Sequence, residues 1–467
     1  MYNSKLIQIL EVFNSEEKER LKKWVHSPAH NHREDRKKLF IYLLNKRKLS
    51  PKTCDRYTVY AYIYPEATYK DAKLKRLMNL GVQLLEEFIH FSLQKKAPFL
   101  QQKSLIHFFN ERGLDKYAQQ YLQKAQDSQK KQTIENSAYF EQVYQLEQLK
   151  FERQNSSNHK QTNLQAIFDS HYLSCALDTL RYACEAATHQ RLYQSEYQIP
   201  LLQPILKTIE SNPQEQALAI QLYYYSYKAL TEPQEEPHFA MLQQLIFEHY
   251  EALTPKEMKS LYLIAINYCV QKLNNGIEKY VRAVFELYQY GLEHEILIEN
   301  QLLSRFTYKN IVAAAIRLQE YQWVTTFIKQ YTAVLEPQYQ LTYSLYAKAK
   351  LNFEQGKFDN TLTLLTQVEF DNLFLNMDAK TMLLKIYYER SDFDALEALL
   401  ISFKRFLQRK SILAYQRKIH KNMIHLTTKL LNTPIYEKTK LQDLRTEIEN
   451  TNPLTEKPWL LKQLEQL

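Results

Sequence analysis

The sequence predicts an all-α protein built as a right-handed superhelical stack of antiparallel helix hairpins. Three observations predict it. The 467 residues include only five glycines, where average usage of about 7% would give about 33. Apolar residues recur at spacings of three and four along nearly the whole chain, the period of one helix face, and no convincing stretch alternates with period two. Several prolines follow good N-cap residues and so stand at helix starts. Roughly twenty helices of about 12–25 residues fit the chain, with connections short enough to make neighbours antiparallel.

The elements follow in order. Ser15 with Glu16 and Glu17 marks an early helix start, its acids facing the positive helix end. Ser27-Pro28 interrupts the pattern, and Ser50-Pro51 reads as a new start. A short helix over Arg56–Tyr64, a turn at Pro65 and a long helix over Lys70–Lys96 come next. The long helix carries one stripe: Leu74, Leu77, Met78, Gly81, Leu84, Leu85, Phe88 and Ile89. Gly81 on that stripe suits a close approach of two helices. Arg112-Gly113-Leu114-Asp115-Lys116-Tyr117 and Asn275-Gly276-Ile277-Glu278-Lys279-Tyr280 resemble each other and read as hairpin turns. Gln154–Asn163 has no apolar residue and reads as a loop or linker. Asn212-Pro213 and Thr254-Pro255 are N-cap–proline pairs, with Glu215 and Glu257 completing capping boxes. Gly291 is expected to end the helix begun near Gly276, with φ > 0 at its C′ position.

In the last third, Tyr321-x-Trp323, Gly356-x-Phe358 and Ser391-x-Phe393 lie 35 residues apart. Each sits at the expected turn of a helix pair: Ile311–Leu318 with Val324–Tyr331, Leu345–Phe353 with 362–368, and Met382–Tyr388 with Leu396–Phe406. A break at Asn432-Thr433-Pro434 precedes a final helix within 454–467 that would cap the array. The reading is therefore four segments: a basic helical module over 1–103, hairpins over 104–300, repeats over 301–432 and a helical tail over 433–467.

Scarce glycine also excludes function classes. With glycines only at 81, 113, 276, 291 and 356, there is no dinucleotide-binding G-x-G-x-x-G, no Walker A loop and no G-x-S-x-G elbow. Cysteines at 54, 175, 184 and 269 form no C-x-x-C pair and read as buried thiols in a reducing compartment. The longest apolar run, Ile311 to Ile316, is far below the ~18–20 residues that span a bilayer. Gln8 and Glu11 interrupt the first apolar stretch, so it reads as an amphipathic helix and not a signal sequence. The expectation is a cytoplasmic protein with no membrane partner and no cofactor.

Charge is uneven. Residues 1–103 hold 21 Lys and Arg against 11 Asp and Glu, whereas the remaining 364 hold 40 against 41. Residues 36–76 alone carry 12 basic and 3 acidic side chains. Lys70, Lys73, Lys75 and Arg76 open the long helix after a short helix and a turn, an order compatible with helix-turn-helix binding of nucleic acid. The acids Glu86 and Glu87 and the length of that helix favour a solvated basic face instead.

Other constellations carry less. His26, His30 and His32 have the ligand type for zinc, but Ser27-Pro28 breaks the helix that would align them, so no metal site is expected. No Ser, Cys or His is joined by spacing to an orienting partner, and no catalytic residue is assigned. Asn267, Tyr268, Tyr308, Asn310, Tyr387, Tyr388 and Arg390 form a polar and aromatic set inside the repeat helices. On a concave repeat surface such residues hold a peptide or protein partner; between hairpins they would instead satisfy buried backbone groups.

Several stretches carry a resemblance. They are Leu6-Ile7-x-x-Leu10-x-x-Phe13 with Glu17, Ser27-Pro28 and Asn31; Leu180-Arg181-Tyr182-Ala183-Cys184-Glu185; Asn267-Tyr268-Cys269; Tyr308-Lys309-Asn310-Ile311-Val312; and Leu383-Leu384-Lys385-Ile386-Tyr387-Tyr388-Glu389. In that order, across about residues 4–432, the chain resembles a widespread family of uncharacterised bacterial helical-repeat proteins. Ala29 and His30 depart from it, because the family usually has an aromatic between Ser-Pro and Asn31. Gln355-Gly356-Lys357-Phe358-Asp359 resembles the turn of a tetratricopeptide repeat, whose period is about 34 residues. These resemblances imply a tetratricopeptide-like solenoid and assign no activity. The function they suit is a non-enzymatic scaffold or adaptor.

Overall fold

The computed structural model describes residues 1–156, 162–193, 195–212, 216–367, 372–409, 414–434 and 436–466. Among the described residues the chain forms 23 α-helices and one two-stranded ribbon, so the all-α expectation holds. It forms two compact units, Met1–Thr179 and Leu180–Leu467.

In the first unit, α1 (Lys5–Val12), α2 (Ser15–His26), α3 (Glu34–Leu44) and α4 (Arg56–Ile63) all pack on α5 (Asp71–Lys95). Leu6, Leu10, Leu21, Phe40, Tyr60, Leu77 and Leu84 belong to one buried cluster. Gly81 lies where α5 meets α1 and α3: a Cβ there would stand 3.4 Å from Leu39 and 3.5 Å from Leu6. The cap of α2 is Asn14, one residue before the expected Ser15, in a capping box with Glu17. No helix begins at Ser50-Pro51. Ser50 and Thr53 close a single turn on each other, and the next cap is Asp55, which accepts from the Thr58 N–H at 2.9 Å. A short side chain with a free acceptor three residues before a donor outcompetes the proline signal. The unit continues through α6 (Pro98–Glu111), α7 (Asp115–Lys130) and α8 (Ser137–Ser156). α8 therefore runs into the polar stretch expected to be a loop, whose residues 157–161 lie outside the described residues. α9 (Leu164–Tyr193) contains the boundary between the units.

The second unit continues with α10 (Leu202–Ser211), α11 (Leu218–Thr231), α12 (Glu236–Glu248), α13 (Pro255–Asn274) and α14 (Tyr280–Glu293). The expected Thr254–Glu257 capping box opens α13; the one expected at Asn212-Pro213 with Glu215 lies outside the described residues. Next come β1 (Ile298–Glu299) and β2 (Leu302–Leu303), paired antiparallel. Asn300 and Gln301, both at positive φ, make the tight turn between them, a strand pair too short to show a period in sequence. Then follow α15 (Arg305–Arg317), α16 (Tyr321–Tyr331), α17 (Pro337–Glu354), α18 (Phe358–Thr366), α19 (Leu373–Glu389) and α20 (Phe393–Arg409). Each packs on its successor in hairpin fashion, and α15 and α19 both pack on α17. The chain ends in α21 (Ala414–Asn432), α22 (Lys438–Asn450) and α23 (Lys457–Glu465). No helix among the described residues is long and apolar enough to cross a membrane.

The hairpin turns share one hydrogen-bond pattern. After α17, the Gly356 N–H donates to Phe353 O at 3.0 Å and the Lys357 N–H to Asn352 O at 2.8 Å. This is a Schellman closure, which needs a left-handed residue at C′. Gly113 (φ 67°), Gly276 (φ 82°) and Gly356 (φ 71°) supply it after α6, α13 and α17. The same closure follows α15 and α19 with Gln319 (φ 60°) and Ser391 (φ 59°) in the left-handed position. The three equivalent turn residues are thus 319, 356 and 391. Tyr321 is not a turn residue but the first residue of α16, matching Phe358 and Phe393. The expected register was displaced by two residues there because Gln319 carries no glycine signal.

Gly291 is also corrected. It lies inside α14 without positive φ, and the left-handed residue beyond that helix is Glu295 (φ 55°). What position 291 requires is space: a Cβ would stand 2.9 Å from Leu297 Cδ1 and from Tyr262 Cε1. Both neighbours are buried, and the Tyr262 hydroxyl donates to Leu287 O. The two glycines should therefore separate experimentally. Asn tolerates the left-handed region, and at Gly276 nothing lies within 4 Å of a Cβ. Gly276→Asn should cost less than about 1 kcal/mol, whereas Gly291→Asn should cost more than about 2 kcal/mol through overpacking, read as urea midpoints at constant slope.

Candidate partner-binding surface

The seven residues expected to face a partner divide into interior and surface. Tyr268 is only 3% exposed. Its ring stacks on Phe239 at 4.4 Å and meets Tyr280 edge-on at 5.6 Å, and its hydroxyl donates to Pro233 O at 2.9 Å. Tyr308 is 0% exposed, tilted on Phe327 at 4.9 Å, with its hydroxyl 3.1 Å from Thr332 Oγ1. Both are core residues, which corrects their assignment to a binding face. A buried tyrosine gains from its ring and needs one partner for its hydroxyl, and helix-hairpin ends supply that partner.

Asn267 and Asn310 are exposed on α13 and α15. Tyr387 and Tyr388 are half-buried against the C-terminal core cluster. Tyr388 meets Trp459 of α23 edge-on at 5.4 Å, the Trp459 Nε1 donates to Glu389 at 2.9 Å, and Lys385 pairs with Glu456 at 2.8 Å. The last helix therefore covers this part of α19. Arg390 is exposed and pairs with Asp359 at 2.8 Å. Surface access is thus left to Asn267 on α13, Asn310 on α15 and Arg390 just beyond the end of α19.

A polar junction in the same helices escaped sequence reasoning. Lys309 of α15 pairs with Asp378 of α19 at 2.6 Å, and the Tyr346 hydroxyl of α17 donates to the same carboxylate at 2.9 Å. Burial raises the Asp378 pKa, but Lys309 and then Lys350 outweigh it, so the carboxyl stays below its ordinary value. Burial also pushes the Tyr346 hydroxyl well up. Lys309 stood between two residues singled out in sequence, but nothing in its neighbourhood announces a partner on another hairpin.

In the first unit, Lys70, Lys73, Lys75 and Arg76 are all exposed at the start of α5. They are not equally available. Lys75 and Arg56 both pair with Asp71, at 2.8 and 2.9 Å, and Lys73 lies over the Tyr64 ring at 3.5 Å. Lys70 and Arg76 have no ion-pair partner among the described residues. α5 is also the helix on which the other four pack, so it serves as the core axis of this module. Nearby, Arg33 grips Asp35 through two N–H groups at 3.0 and 2.7 Å, and the Tyr64 hydroxyl donates to it at 2.8 Å. Arg33 first, then Tyr64, hold the Asp35 carboxyl down at about 2.

The histidine group does not converge. His30 stacks on Trp24 with centroids 3.4 Å apart, while His26 Nδ1 lies 2.7 Å from Lys22 O. Among the described residues no group of three His, Cys, Asp or Glu could hold a metal ion. Cys54, Cys184 and Cys269 are buried and Cys175 is half-buried; burial pushes the Cys269 thiol up to about 12.

No family model, no curated protein and no solved structure matches the chain.

Two outcomes follow from these placements. Tyr268→Ala should cost about 3–5 kcal/mol, whereas Asn267→Ala should stay within about 0.5 kcal/mol, as measured by denaturant unfolding. Asp35 has a depressed folded pKa, so its contribution is full above the unfolded value of about 3.9 and is lost as pH falls towards 2. Asp35→Asn should remove that part of the acid slope, seen by comparing unfolding free energies between pH 5 and pH 2.5.

Proposed function

We propose that the chain is a non-enzymatic scaffold or adaptor that binds a protein partner through a tetratricopeptide-like stack of helix hairpins. The observation that carries this reading is the succession α13–α14, α15–α16, α17–α18 and α19–α20. Three of these hairpins close with the same left-handed turn geometry at 319, 356 and 391, and a fourth with its glycine counterpart at 276. A single hairpin cannot cover its own apolar stripe, and stacked neighbours do so while presenting one helix of each pair outward. The resemblance to helical-repeat proteins agrees with it. Free thiols at all four cysteines suit a reducing, cytoplasmic setting. Asn267, Asn310 and Arg390 are the members of the predicted set that remain open to a partner.

A second reading, nucleic-acid binding by the first unit, is favoured by Lys70 and Arg76, which have no ion-pair partner among the described residues. It requires binding that falls steeply with salt.

One experiment separates them. The tagged full chain is purified from its source cells with and without nuclease. The scaffold reading expects a stoichiometric protein that survives nuclease and is lost from the variant Asn267→Ala/Arg390→Ala with thermal unfolding close to that of the parent chain. Retention by that variant would remove the proposed face. Recovery of nucleic acid, abolished by Lys70→Glu/Arg76→Glu and by raised salt, would establish the second reading.

A further inference from the structure

The even charge balance beyond residue 103 conceals a second basic block. Residues 398–436 hold eight Lys and Arg and no Asp or Glu. Within this span 398–409 form most of α20 and 414–432 all of α21, and between those helices lies a groove of about 490 Å³. Its floor is apolar: Leu400 and Ile401 from α20, Ile424 and Leu431 from α21. Ile401 is 55% exposed and adds reachable apolar surface to the lining made by Leu400, Ile424 and Leu431. Lys404 and Lys421 stand on the rim, one from each helix. Neither has a carboxylate within ion-pair reach among the described residues. Their availability contrasts with the next turn of α21, where Glu447 already engages His425 at 3.5 Å and Lys429 at 2.7 Å. One acid, Glu397, lines one end of the groove.

We propose that this groove is a docking site for an acidic amphipathic helix of a partner protein. The claim rests on the scaffold reading only in taking a protein segment as ligand; the site is separate from Asn267, Asn310 and Arg390. The groove-facing stripe of α20 runs from Glu397 to Gln408, about three helical turns or ~17 Å. A ligand helix of that length lays its apolar residues at i, i+3, i+4 and i+7 over Leu400, Ile401, Ile424 and Leu431. Its flanking carboxylates meet Lys404 and Lys421. Glu397 then sets direction, because the ligand end beside it must not be acidic. The apolar floor distinguishes this ligand from nucleic acid, which would meet the cations but gain nothing from Ile401.

The test uses purified full-length protein and a defined probe. The probe is a fluorescein-labelled peptide of about four turns with Leu at i, i+3, i+4 and i+7 and Glu on both flanks, held helical by an i,i+4 lactam. Its counterpart has every Glu replaced by Lys. Anisotropy should give a micromolar Kd for the acidic peptide and at least tenfold weaker binding for the basic one. Lys404→Glu/Lys421→Glu should weaken the acidic peptide at least tenfold and improve the basic one. Ile401→Asp, at an exposed position that leaves the fold intact by circular dichroism, should weaken both. Equal binding of the two peptides, or acidic-peptide binding unchanged in Ile401→Asp, would overturn the proposal. So would an anionic oligonucleotide that competes fully and binds Ile401→Asp as well as it binds the parent chain. Because all components are defined, a negative result leaves the partner capture from source cells untouched.

Discussion

A helix pair of three or four turns leaves one apolar stripe uncovered, and most of this chain is organised by the need to cover it. Cover comes from a neighbouring pair, as α15 and α19 both lie on α17. The two helices of one pair meet only because the chain reverses within two or three residues, and the Schellman closure performs that reversal. It satisfies two carbonyls that a helix end would otherwise leave open and aims the following helix back along the one just ended. Leu351, Leu365 and Leu384 are buried from three successive helices of one such run.

Helices were legible because their signals are local. The stripe on α5 repeats turn after turn along one helix, and the Thr254 capping box and the glycine turns at 113, 276 and 356 each lie within one or two turns of sequence. The failures share a cause of the opposite kind. Gln319 adopts a conformation that its side chain does not advertise. Gly291 was read as punctuation, but it is small because Tyr262 and Leu297 crowd it from elsewhere in the fold. Ser50-Pro51 lost its helix to Asp55, a competition between two plausible caps that only the tertiary register decides.

The candidate surface was less legible than the fold for the same reason. Tyrosine at a helical spacing carries one signature whether it faces a partner or a neighbouring helix. Tyr268 and Tyr308 face inward because Pro233 O and Thr332 Oγ1 lie within reach of their hydroxyls. Tyr388 is partly covered because Trp459 returns to it from the end of the chain. The basic block over α20 and α21 escaped notice because acids elsewhere balance it in the sum. Charge matters to a ligand at the scale of a groove, and the whole-chain total averages over many such regions.

The return of α23 onto α19 has a consequence for growth. In stacked helix hairpins each unit contacts its neighbours, so an uncovered outer face can accept another hairpin. Here Trp459 and Glu456 engage Glu389 and Lys385 from within the same chain. That face is already spoken for, so end-to-end addition at this point would require displacing a covalently tethered competitor, which is present at far higher effective concentration than any free one. The tail is thus held on α19 by an ion pair, a hydrogen bond and an aromatic contact at once, and lifting it away would open all three together.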